Sequence, residues 1–173
     1  MLSLLLACAT PSPPEAPLAT LSAEPATEIA PPPIEALNAM DPRTPVPLQP
    51  MMAWHQKQNM QAHLVAIEGI TASLAEEDWE GVKAAAAAIE SSPQMAMQCE
   101  HMGAGAEGFT AMALDFHQRA DGIALAAAEK DQKKVLQATA YTLQACTGCH
   151  AQYRQDVVDS QTWSARTGSP SPH

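Results

Sequence analysis

Near the end of the 173-residue chain, Cys146-Thr147-Gly148-Cys149-His150 sets two thiols three residues apart, with a histidine directly after the second. This spacing is the haem c attachment pattern. Each thiol adds to one of the two vinyl groups on a haem edge, and the adjacent histidine offers an imidazole nitrogen to the iron. The motif constrains the fold because only 23 residues follow His150. The surroundings of such a group must be built from chain that precedes it. Two other chemistries use paired cysteines. A structural zinc site needs a second Cys/His pair at ligand spacing, and Cys8 and Cys99 stand singly and far apart. A thioredoxin-like centre needs a βαβ setting, whereas the flanking residues read as helix.

Composition narrows the fold class. Aromatic and β-branched residues are too sparse for a sheet protein, while Ala, Leu, Met, Gln and Glu favour helix. The net charge of −10 argues against nucleic acid and against an anionic membrane surface as partners. It is compatible with a basic redox partner protein. Cys99 reads as a small buried side chain.

The chain divides by its prolines. Met1 to Ala7 is apolar and leads into Leu5-Leu6-Ala7-Cys8, which resembles a bacterial lipobox. Only seven residues precede Cys8 and none is Lys or Arg, so residues 1–8 are read as a truncated lipoprotein-like signal. The competing reading is a chance occurrence of those four residues. Residues 9–50 hold twelve of the fifteen prolines and show neither helix nor strand periodicity. They are expected to be a disordered, semi-rigid tether. No run of about 18 or more apolar residues suggests a membrane span. Membrane contact would then come only through a lipid on Cys8.

Helical spacing begins after Pro50. Met60, Leu64, Ile67, Thr71 and Leu74 mark a first helix over 51–77. Asp78 caps a second, with Trp79, Val82, Ala86 and Ile89 on one face, ended by Ser91-Ser92-Pro93. Residues 94–108 read as a loop or irregular helical segment. A third helix, about 107–129, carries Phe109, Met112, Phe116, Ala120, Ile123 and Ala127. After Asp131 a fourth runs over about 132–157. In it Leu136, Leu143, His150 and Val157 recur every seven residues, with Thr139, Cys146 and Tyr153 between them. That stripe places Cys146 and His150 on the inward face, one turn apart. Residues 159–173 are expected to be a flexible tail. The fold class is therefore all-α. Short connections imply antiparallel neighbours, hence an up-down-up-down four-helix bundle over 51–158.

A bundle with this motif on its last helix resembles cytochrome c′ and the wider class II c-type cytochromes. Cys146, Cys149, His150, Tyr153 and Arg154 carry the match, as CxxCHxxYR. The resemblance implies one covalent haem c, with His150 as the proximal iron ligand and Arg154 close to the ring. The competing reading of Arg154 is a solvated helix-terminal arginine. Thioether attachment implies assembly outside the bacterial cytoplasm, hence a periplasmic or membrane-anchored protein. Members often form homodimers.

The resemblance also implies that the first helix covers the opposite haem face. There Met60 is the candidate sixth ligand and His63 the less favoured alternative, while Met51, Met52 and His55 lie nearer the helix start. His101, Met102 and His117 are further, less favoured options. No Arg-Gln pair opens the first helix, a departure from the usual cytochrome c′ pattern. Two functions follow: a single-electron carrier, not an enzyme, or a five-coordinate haem protein that binds small gases such as NO or CO. A peroxidase-like activity is a weaker third, with His63 as its only nearby acid/base group.

Overall fold

The computed structural model describes residues 34–169. The leader, Cys8 and the first part of the expected tether lie outside the described residues. Ile34–Met40 forms a short helix, α1, in a unit that ends at Met40. The unit beginning at Asp41 holds the rest: β1 (Thr44–Leu48), α2 (Pro50–Ala75), α3 (Trp79–Ala86), α4 (Pro93–Gly103), α5 (Phe109–Ala128), α6 (Gln132–Gln152), β2 (Tyr153–Val157) and α7 (Ser160–Thr167). The protein is mainly α, as composition implies, with one small parallel sheet of β1 and β2.

Capping chemistry sets several helix ends. Asp78 accepts from the Gly81 amide and Asp131 from the Lys134 amide, at the expected starts of α3 and α6. Ser92 accepts from the Met95 amide, with Pro93 in the first turn. So Ser91-Ser92-Pro93, expected to stop one helix, also starts another, and α4 replaces the expected loop over 94–108. A proline has no amide hydrogen to lose in a first turn, which makes the signal two-sided.

Two buried clusters hold the unit together. In the first, Ala66, Ile70 and Leu74 of α2 meet Val82, Ala86 and Ile89. Phe116, Ala120, Ile123 and Ala127 of α5 and Val135 and Ala145 of α6 complete it. Each large aliphatic side chain buried here contributes roughly 1.5–3 kcal/mol. The faces of α3 and α5 match their sequence stripes. The other two differ. On α6 the buried positions are Val135, Thr139, Thr142 and Ala145, while Leu136, Leu143 and Val157 are exposed. Thr139 and Thr142 are tolerated inside because each hydroxyl donates to the carbonyl one turn back, those of Val135 and Ala138. On α2, Leu74 is buried, but Thr71 is exposed and Met60, Leu64 and Ile67 border a cavity.

The second cluster corrects both expected domain limits. Residues 44–48 fall in the expected tether, yet Val46 and Leu48 are buried with Met52, Ala53, Ala106, Phe109, Tyr153 and Trp163. Pro45 and Pro47 are compatible with a strand because a two-stranded sheet consists only of edges. Residues 153–157, assigned to the last helix, form β2 instead, paired from Thr44↔Tyr153 to Leu48↔Val157. The expected flexible tail contains α7, capped by Asp159 on the Thr162 amide. Trp163 anchors it at 1% exposure. Its burial, not any periodicity, orders the segment.

Candidate cofactor site

The sheet ties the residue after α6 to the segment before α2, and so stitches the CxxCH end of α6 to the start of α2. Cys146 packs against the first cluster and Cys149 against the second, which places the motif at their junction. Tyr153 secures this end. Its hydroxyl donates to the Glu107 carbonyl at 2.6 Å, and its ring meets Phe109 edge-on at 5.3 Å. Gly108 is required at that approach. Its φ is +79°, and a Cβ there would sit 2.8 Å from the Tyr153 hydroxyl.

Arg43, in the segment expected to be tether, clamps the same point. Its guanidinium donates to the carbonyls of His150 at 3.1 Å and Tyr153 at 3.5 Å. Asp41 orients it through contacts of 2.9 and 2.6 Å. Hydrogen bonding from Arg43 holds the Asp41 carboxyl down at about 2. A cation at the carbonyl end of a helix is favourable, and here that end carries His150. No spacing rule identifies Arg43, because its partners lie more than a hundred residues away.

A cavity of about 380 Å³, largely apolar, opens between α2, α4, α5 and α6. Its size lies within the range of roughly 300–1,000 Å³ seen for small-molecule and cofactor sites. From α6 it is bordered by Leu143, Cys146, Cys149 and His150. From α2 come Met60, His63, Leu64 and Ile67. Of the six site residues expected from sequence, the cavity brings together five: Cys146, Cys149, His150, Met60 and His63. Arg154 does not line it. It lies in β2 opposite Pro45, with its side chain 3.9 Å from Asp156. Sheet pairing turned it away, whereas one further helical turn would have kept it beside His150.

Residues beyond those five complete the walls. From α4 come Met95, Cys99 and Met102; from α5, Phe109, Met112, Phe116 and His117. Cys99 is buried, as expected. Those on α4 were obscured by the missed Ser-Pro helix start. His117, one of the less favoured options from sequence, neighbours Phe116 on the inward side of α5.

The thiols lack the lowered pKa of a disulfide-exchange centre. Cys99, Cys146 and Cys149 are outside any disulfide. Burial raises the thiol pKa of Cys146 and of Cys149, the latter also through Cys146. They therefore stay protonated, unlike the depressed thiols of a disulfide-exchange centre. Among the described residues no group of three or more His, Cys, Asp or Glu is placed to hold a metal ion. Cys146, Cys149 and His150, all bordering one largely apolar cavity, are the residues that could hold a covalently attached haem.

The histidines opposite are desolvated. His63 stacks on Phe116 at 4.7 Å and meets His117 edge-on at 5.3 Å. Burial, with a smaller contribution from His117, pushes His63 down to about 4. Burial also lowers His117, outweighing the Ile89 carbonyl and Asp121. Below about 6.5, the ordinary histidine value, the unfolded chain binds protons that these folded rings refuse. Stability is therefore expected to fall as pH drops from about 6.5 through about 4. Denaturant unfolding of wild type and His63→Gln across that window checks this, and the variant should show the shallower slope. An equal slope in both would remove His63 from the effect.

No family model, curated protein or solved structure matches the chain. Among the described residues no helix is long and apolar enough to cross a membrane.

Proposed function

We propose that the chain is a c-type cytochrome that carries one haem and passes single electrons between partner proteins outside the cytoplasm. The observation that carries this reading is the convergence on one apolar cavity of Cys146, Cys149 and His150 with Met60 and His63 from another helix. When bound, haem would supply a one-electron Fe(III)/Fe(II) couple. Cys146 and Cys149 would hold it and His150 would ligate it. The Arg43 contact to the His150 carbonyl would steady that ligand. The apolar walls would exclude water and lower the reorganisation that electron transfer requires. Met60 and His63 are the candidates offered by α2 for the sixth position. A lipid on Cys8 and an acidic surface facing basic redox partners belong to the same proposal.

The antiparallel up-down-up-down arrangement is also proposed. It is supported by the three-residue connections 76–78 between α2 and α3 and 129–131 between α5 and α6. The second helix of the bundle would then be the broken pair α3 and α4.

The test is the protein matured with the c-type attachment machinery. One haem per chain by intact mass, a low-spin spectrum in both oxidation states and reversible one-electron reduction are expected. Met60→Ala and His63→Gln each test one α2 candidate, and loss of low-spin character marks the ligand. A chain without the haem mass would sink the reading. A high-spin ferrous form that readily takes up carbon monoxide would replace electron carriage by gas binding.

A further inference from the structure

One cavity group is held more firmly than either α2 candidate. His117 of α5 is only 3% exposed. Its ring packs edge-on against Phe116, with centroids 4.9 Å apart, and against His63. Its Nδ1 lies 2.8 Å from the Ile89 carbonyl oxygen. A carbonyl only accepts, so Nδ1 carries the proton. In the neutral ring, Nε2 then keeps its lone pair. Among the described residues Nε2 makes no hydrogen bond. A histidine whose one nitrogen donates to a backbone carbonyl while the other stays open is arranged as metal-bound histidines are.

The α2 candidates lack this preparation. Met60 is 37% exposed, so fixing its flexible side chain on a metal costs conformational entropy. The His63 ring has one face covered by Phe116, and among the described residues no hydrogen bond sets its tautomer. Ordering a ligand in advance lowers the cost of binding, and of the three only His117 is so ordered.

We propose that His117, through Nε2, supplies the sixth iron ligand, making the coordination bis-histidine with His150. The inference rests on the haem reading above. It goes beyond it by moving the distal ligand from α2 to α5. A buried neutral imidazole there would also close the iron to small gases.

The test uses the matured holoprotein and His117→Asn, Met60→Ala and His63→Gln. Asparagine places its amide nitrogen where histidine has Nδ1, so the contact to the Ile89 carbonyl is kept while the Nε2 arm is removed. Intact mass first establishes the haem. Its absence would overturn the haem reading and this inference together. With haem present, the ferric wild type is expected to be low-spin, with the near-infrared charge-transfer band of bis-histidine coordination and no methionine band. His117→Asn should turn high-spin, keep its haem and helical content, and return to low-spin on adding free imidazole. The other two variants should stay low-spin. A high-spin wild type, a methionine band, or a low-spin His117→Asn would each overturn the assignment while leaving the haem reading intact. Should His117→Asn fail to fold, His63→Gln decides: a bis-histidine band retained in that variant supports His117, and its loss there overturns the assignment.

Discussion

Cys146 and Cys149 replaced together by serine are expected to leave a chain with no haem mass and much of its helical signal lost. The reason is the cavity. Without haem its largely apolar walls, which surround about 380 Å³ partly open to solvent, face water instead of a packed group. The loss falls on side chains that α2, α4, α5 and α6 direct toward one another across the void, so the four helices would loosen together. Far-UV circular dichroism and denaturant melts of the double variant against the holoprotein measure it. A cooperative, native-like melt in the variant would show that the alanine-rich clusters suffice without a filled cavity. A reduced far-UV helical signal with a low, poorly cooperative midpoint is the expected result.

Trp163→Ala is expected to cost about 3–5 kcal/mol, the usual range for truncating a large buried aromatic side chain. Trp163 is almost fully enclosed by the second cluster, with Val46, Leu48 and Tyr153. Its loss would release α7 and weaken the sheet that joins β1 to β2. That sheet fixes the segment after His150, so the effect should reach the cofactor. Equilibrium unfolding gives the energy, and the holoprotein's reduction potential reports on the site. Wild-type stability in a chain ending at residue 158 would show that the 160–167 helix is dispensable. The expected outcome is a loss at least as large as that of Trp163→Ala, since the truncation removes the same side chain.

Much of the helical content was legible because it is local. The Asp78 and Asp131 caps act within one turn, and the stripes of α3 and α5 are repeated every three or four residues. Five of the six expected site residues also meet at one cavity, because each sits on a helix face whose direction follows from spacing. The misses share another origin. Val46 and Leu48 look like part of a proline-rich tether until β2 supplies their pairing partner more than a hundred residues later. Trp163 lies among polar residues, with no periodicity to reveal its burial. On α6 the seven-residue stripe crosses different surroundings: Leu143, Cys146 and His150 border the cavity, Thr139 is buried and Leu136 is exposed. Hydrophobic spacing does not say what covers a face.

The expectation drawn from Cys146-Thr147-Gly148-Cys149-His150 is a local one, because its two thiols and its imidazole lie within two turns of chain. What faces that motif was decided by packing. Arg43 reaches the His150 carbonyl, Arg154 is turned aside by the sheet, and Ile89 sets the tautomer of His117. Each of these depends on groups distant in sequence, whose encounter follows from the closure of the two clusters and from no pattern along the chain.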